Sequence, residues 1–223
     1  ETLTPVRLNE VVHSVFYAPQ YVAQELGFFE EEGLDVSVAV GNGADKSMTA
    51  LLSDSADIAL LGTEAGLYVY AEGKADYPKT FAQLTQRAGN FLVSREEEPD
   101  FQWSDLERKS VIGGRLGGMP EMVLEYVIKE NGMTIGKDME IINNIDFTST
   151  AGAFLGEVGD YTVEFEPAAT TLEQSGKGHI VASLGEASGY VPYPFIWHRM
   201  LSCRHIPKSS KPSPVPFIKG SSG

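Results

Sequence analysis

The run from Val111 to Glu125 (Val-Ile-Gly-Gly-Arg-Leu-Gly-Gly-Met-Pro-Glu-Met-Val-Leu-Glu) joins an apolar strand end to a helix through four glycines. Pro120 suits a first helical turn, where a missing N–H costs nothing, and Glu121 sits at the positive end of the helix dipole. Glycines at that place expose backbone N–H groups and allow a ligand to approach closely. The N–H groups of Gly117, Gly118 and Met119, with Arg115 as a clamp, therefore predict a site for something small, polar and partly negative. A second strand-to-helix turn, Gly62-Thr63-Glu64, repeats the arrangement, with Thr63 able to cap the helix. Other chemistries are not spelled out. No Gly-Lys-Ser/Thr follows the glycines, and the dinucleotide spacing G-x-G-x-x-G is not met. His-Glu-x-x-His, Gly-x-Ser-x-Gly and Cys/His metal spacings are absent, and the single cysteine is Cys203. The residues point to binding, with no catalytic residue, metal or cofactor expected.

A scaffold large enough to hold such turns is available. The chain has 223 residues, 42% of them hydrophobic and 10% aromatic, which fits one large globular domain or two small ones. A net charge of −14 argues against nucleic acid and against anionic membranes as partners. No apolar run approaches the ~18 residues of a membrane span. No signal peptide begins at Glu1, which fits either a cytosolic chain or a mature form whose leader has been removed.

Composition changes near Tyr193. All 31 acidic residues precede it, whereas Pro194–Gly223 holds none, with five of the 17 basic residues and five of the 12 prolines. The plain reading of 194–223 is an irregular tail or a vector remnant. A one-base frame slip explains it better. Back-translated one base earlier, Lys208–Gly223 can read E-I-V-Q-A-F-T-R-A-L-Y-Q-G-Q-Q-W. The positions of Ser209, Ser210, Ser213 and Phe217 then become apolar at offsets 0, 1, 4 and 8, one face of a helix. On that reading His198, Cys203 and His205 carry no functional information.

Before the tail, strands and helices alternate. Strands are expected at Val6–Val12, Leu34–Val40 and Ile58–Leu61, with helices at Pro19–Phe29, up to Leu52, and from Gly62 to about Glu72. After Arg87–Asn90 the pattern restarts, with strands at Phe91–Ser94, Ser110–Gly113, Ile141–Ile142, Asp160–Phe165 and Ile180–Leu184. Helices are expected there at Pro120–Asn131, Thr150–Gly156 and Ala168–Gln174. Repeated βα units predict two α/β lobes, residues 1–88 and 89–193, with largely parallel sheets and a site at the strand carboxyl ends.

The stretch Tyr17–Val36 (Tyr-Ala-Pro-Gln-Tyr-Val-Ala-Gln-Glu-Leu-Gly-Phe-Phe-Glu-Glu-Glu-Gly-Leu-Asp-Val) resembles the N-terminal signature of extracytoplasmic solute-binding proteins of ABC importers. The branch it resembles handles nitrate, sulfonates such as taurine, and thiamine pyrimidine precursors. Ala56–Ala59, Gly114–Met122, Gly152–Gly156, Gly159–Tyr161 and Phe165–Pro167 match in order, so the resemblance spans roughly 6–193. It implies the two-lobe periplasmic-binding-protein (flytrap) fold, with the C-terminal part missing or out of frame. It further implies a monomer outside the cytoplasm that closes on a small ligand and delivers it to a membrane permease. Family members return to lobe 1 after lobe 2, and the frame slip is expected to remove that segment. Two alternatives use the same fold. Pyrimidine synthases carry a cofactor-bearing lysine and a His/Cys-rich segment, and neither Lys46 nor Lys74 stands in such a context. A ligand-sensing receptor domain would need an adjoining membrane or output segment.

A cleft between lobes gives the remaining candidates a place. His13 follows the first strand; Phe16 and Tyr17 could stack on a flat ligand or merely pack. Asn42 could donate an amide N–H, although Gly41-Asn42-Gly43 also reads as a plain turn. Glu164 and Glu166 share one face of a strand and would suit an amine or amidine if that face meets the cleft. Arg115 with the glycine loop favours a sulfonate, nitrate or carboxylate. Glu64 and Glu164 with Phe16 and Tyr17 favour a cationic or amino-substituted ring.

Overall fold

The computed structural model describes residues 2–73 and 75–199. Lobe 1 begins with β1 (Thr4–Glu10), α1 (Ala18–Glu25), α2 (Phe28–Glu31), β2 (Leu34–Val40) and α3 (Ala44–Leu52). It continues with β3 (Ile58–Gly62), α4 (Thr63–Ala71) and β4 (Pro78–Gln83). Lobe 2 contains β5 (Asn90–Ser94), β6 (Ser110–Ile112), α5 (Met119–Glu130), β7 (Glu140–Ile142) and α6 (Thr150–Leu155). It ends with β8 (Tyr161–Phe165), α7 (Ala168–Gln174), β9 (His179–Ser183) and α8 (Leu184–Ala187), after which β10 (Pro194–Arg199) returns to lobe 1.

Each lobe is built on a five-stranded sheet, ordered β2-β1-β3-β10-β4 and β7-β6-β8-β5-β9. The βα units pair in parallel, as β1 does with β2 and β3, and β6 with β7 and β8. The expectation of largely parallel sheets is corrected by the two strands that follow the crossings. Strand β5 runs antiparallel to β8 and β9, and β10 runs antiparallel to β3 and β4. A chain arriving from the other lobe comes in at the strand carboxyl ends, so its first strand must run against the others.

Strand β10 also corrects the tail. Residues 194–199 are paired between two strands of lobe 1, and Trp197 is buried with Met48, Leu51, Ala59, Leu61, Ala65 and Val69. The composition break at Pro194 therefore does not mark the end of ordered structure, and the return segment keeps at least its first strand. The expected frame slip at Lys208–Gly223 lies outside the described residues.

The inner strands β3 and β8 are buried on both faces, and β3 reads as a continuous apolar run. In β3, Ala59 and Leu61 face one core while Leu60 faces another with Leu8 and Tyr17. In β6, Val111 and Ile112 divide in the same way between the two cores of lobe 2. The first helix is shorter than its apolar spacing predicts. Gly27, at φ +74°, ends it and starts α2.

The lobes are joined by two crossings, 84–89 and 188–193. Val191 N–H bonds one crossing to the other at the Gln86 carbonyl, 2.9 Å, and Leu84 N–H bonds to the Pro194 carbonyl at the start of β10, 3.0 Å. Arg87 braces them, donating to the Gly185 carbonyl at 3.1 Å with its guanidinium 4.6 Å from the Tyr190 ring centroid. A two-strand hinge between two rigid sheets is suited to opening and closing.

Candidate ligand cleft between the lobes

Each wall of the cleft is a helix that begins at a glycine turn. On lobe 1, β3 ends at buried Gly62 and α4 starts at Thr63. Glu64, Tyr68 and Glu72 follow at i, i+4 spacing and line the cleft together with Ala65 and Val69. On lobe 2, the loop after β6 leads to Gly118 and α5, and Gly114 and Gly117 adopt φ +94° and +73°, which side-chain-bearing residues rarely take. Phe16, Tyr17, Phe147, Phe165 and Tyr193 close the back. The space enclosed is about 390 Å³, within the range of small-molecule sites.

Local packing explains how the back wall is held. Ser14 caps the short turn at 15–17, accepting from the Phe16 N–H at 3.3 Å, and donates across the lobes to the Glu166 carbonyl at 3.0 Å. Phe16 lies 5.3 Å from Phe165 and 5.4 Å from Tyr193, centroid to centroid. A Cβ on Gly89 would stand 2.3 Å from the Phe16 ring, so the hinge glycine is what admits that aromatic.

The two helix starts satisfy their polar groups differently. On α5 the Gly117 N–H donates to Glu121 Oε2 at 3.2 Å, the Gly118 N–H to the Arg115 carbonyl at 3.0 Å, and Asn143 Nδ2 to Glu121 Oε1 at 3.4 Å. Burial raises the Glu121 pKa, opposed by the Gly117 N–H and the Asn143 amide. Arg115 does not reach into the cavity alone. It pairs with Asp45 of lobe 1 at 3.0 Å and with Asp146 at 3.8 Å. Tyr68 Oη donates to the Gly117 carbonyl at 3.0 Å, a second bond across the mouth.

On α4 the carboxylate of Glu64 is buried, and its Oε2 has no hydrogen-bond partner. It folds back over its own turn, 2.0 Å from where a Cβ on Gly62 would sit, so only glycine leaves it room. Burial pushes the Glu64 pKa up to about 7, opposed by the backbone N–H groups of Glu64 and Met119. The Tyr193 hydroxyl is likewise buried and unpartnered. Burial raises the pKa values of Tyr17 and Tyr193, and both feel the Glu64 charge.

Of the residues singled out from sequence, Phe16, Tyr17, Gly62, Glu64, Arg115, Gly117, Gly118 and Met119 are brought together in the cleft lining. Four are placed elsewhere. His13 is exposed and bonds through Nδ1 to Glu10 Oε1 at 3.0 Å; the fully buried Glu10 also accepts from Gln20 and Tyr21. Asn42 sits exposed at φ +59°, a turn residue between two glycines. Thr63 donates to the Pro192 carbonyl at 3.2 Å and so ties α4 to the hinge. Glu164 is buried inside lobe 2, accepting from Thr150 Oγ1 at 3.1 Å and Thr162 Oγ1 at 2.7 Å, and burial pushes its pKa up to about 7. Strand alternation carries Phe165, its neighbour, to the cleft instead. Phe147, Phe165, Tyr68 and Tyr193 were not foreseen. Of these, Tyr68 was legible at i+4 from Glu64. Among the described residues, no group of three His, Cys, Asp or Glu side chains is placed to hold a metal ion.

This geometry can be set beside known proteins. The family model "NMT1/THI5 like" matches residues 15–185. The chain belongs to the NMT1/THI5-like family. A Bacillus subtilis protein carrying the name "Putative binding protein YtlA" is 53% identical over 193 residues, 86% of this chain and 58% of that protein. The chain thus spans somewhat more than half the length of that relative. Among solved structures, the periplasmic aliphatic sulphonate binding protein SsuA from Escherichia coli superposes with a TM-score of 0.71 at 13% identity. That match covers 90% of this chain and 67% of that one. The periplasmic nitrate-binding protein NrtA from Synechocystis gives 0.70 at 19% identity, over 88% and 56% of the two chains. These likenesses establish that this NMT1/THI5-like chain has the two-lobe periplasmic-binding-protein fold.

Proposed function

We propose that the protein is the solute-binding subunit of an ABC importer. It captures a small organic ion between its lobes outside the cytoplasm and delivers it, as a monomer, to a membrane permease. The observation that carries this reading is the cavity of about 390 Å³, walled by side chains from both lobes and backed by a two-strand hinge. Closure of such a hinge removes the ligand from water and changes the outer surface, which is how occupancy is signalled to a permease. Membership of the NMT1/THI5-like family and the structural likeness to a periplasmic sulphonate-binding and a periplasmic nitrate-binding protein support the transport role. No helix among the described residues is long and apolar enough to cross a membrane, in keeping with a separate permease.

The chain's part is to bind and release without converting its cargo. A thermal-shift screen of sulfonates, nitrate and aminopyrimidines checks this. At least one compound is expected to stabilise the protein and to be recovered chemically unchanged by mass spectrometry. Conversion of the stabilising compound would contradict the reading.

A further inference from the structure

We propose that Glu64 determines the charge class of the ligand: the cleft takes a planar, cationic or N–H-donating group against this carboxylate and rejects an anion of the same shape. This inference rests on the binding reading above and sharpens it.

Three observations carry it. First, Glu64 is 4% exposed, lines the cavity and leaves Oε2 with no donor, and the Tyr193 hydroxyl beside the same cavity is also unpartnered. Buried polar atoms are almost always bonded, so two orphans lining one cavity mark where a ligand's own polar groups belong. Second, the groups that would welcome an anion are already engaged. Gly117 and Gly118 donate within their own loop, and Arg115, the one Lys, Arg or His lining the described cavity, is bound by Asp45 and Asp146. The acidic side chain of the lining that keeps an unbonded buried oxygen is Glu64. An anion would face the unbonded Oε2 of Glu64 directly, while a cationic or N–H-donating group would supply the bond that oxygen lacks. Third, aromatic rings line the same cavity as Glu64. Phe16, Tyr17, Phe165 and Tyr193 offer ring faces and edges, which suit a flat ring and attract positive charge.

Gly62 belongs to the same device. Because Glu64 Oε2 occupies the place of a Gly62 Cβ, any larger residue there moves the carboxylate out of its seat.

The test uses two isosteres of opposite charge, benzamidine and benzoate, titrated into the protein by calorimetry, with ethanesulfonate and nitrate alongside. Benzamidine is expected to bind at least tenfold more tightly than benzoate. Glu64→Gln should lower benzamidine affinity at least tenfold with an unchanged circular-dichroism spectrum, and Tyr193→Phe should lower it less. Equal binding of the two isosteres, or full benzamidine affinity in folded Glu64→Gln, would overturn the inference. Saturation by ethanesulfonate or nitrate while benzamidine stays silent would overturn it and leave the binding-protein reading standing. Silence of every probe would count against both.

Discussion

The turns that open α4 and α5 are alike in outline and opposite in state. Both follow a buried strand, both carry glycine, and both have a glutamate in the first helical turn. On α5 that glutamate, Glu121, reaches back to its own loop and accepts the Gly117 N–H, while Arg115 is held by two aspartates. The turn is closed on itself. On α4 the glutamate, Glu64, leaves an oxygen unpartnered in the cavity. A glycine-rich helix start is therefore a site only to the extent that its polar groups remain unsatisfied after folding. The richer glycine motif is the latch, and the poorer one holds the open chemistry.

Variants can break or sharpen this contrast. The largest effect is expected where α4 is held from behind. Trp197 of β10 lies against Gly66, where an added Cβ would stand 2.1 Å from its ring, and its Nε1 donates to the Leu61 carbonyl at 3.2 Å. Trp197→Ala should cost about 3–5 kcal/mol in chemical denaturation. A loss under about 1 kcal/mol would remove β10 from the support of the site.

Next comes the pH dependence of the open turn. The folded-state pKa of Glu64 stands at about 7, above the 4.5 of a free glutamate. The native state then holds a proton that the unfolded chain has released, so stability falls as pH rises from about 4.5 to 7. Glu64→Gln should leave stability unchanged at pH 4 and raise it at pH 8, by up to ~3 kcal/mol. Thermal unfolding at the two pH values checks this; destabilisation at pH 8 would show that the carboxylate is satisfied after all.

The closed turn should respond in the ordinary way of a lost cap. Glu121→Ala strands the Gly117 N–H and the Asn143 amide, and is expected to cost about 1–2 kcal/mol. A neutral result in urea unfolding would mean that solvent replaces Glu121. The smallest effect belongs to Arg115→Ala. Its pair with Asp45 is exposed on both sides, so less than ~1 kcal/mol of stability should be lost. The variant should also keep its affinity for cationic probes, since the guanidinium is engaged elsewhere.

Much of the scaffold was legible in the residues. The helix expected at Pro120–Asn131 is observed at Met119–Glu130, and the strand at Asp160–Phe165 begins one residue later. Both are strongly periodic and buried, which is where pattern reading works. Strand β4 was missed because its residues are mostly polar and exposed, as an edge strand allows. Strand β10 was missed because composition, not periodicity, set the boundary at Pro194. In the cleft, sequence located both glycine turns and the aromatics after β1. It could not show that Asp45 reaches Arg115, 70 residues away, and so could not tell that the groups of the α5 turn are engaged. Glu164 shows the same limit. Alternation says that it and Phe165 face opposite ways but not which way the cleft lies, and Thr150 and Thr162 settle Glu164 inside the lobe.

On this contrast the α4 turn holds the ligand and the α5 turn latches the lobes over it. Hydrogen-exchange mass spectrometry with the tightest-binding compound of the probe panel addresses this division of roles directly. New amide protection is expected in both 62–69 and 117–122 on saturation, lost together in Glu64→Gln. Protection confined to one lobe, or appearing away from both turns, would contradict it.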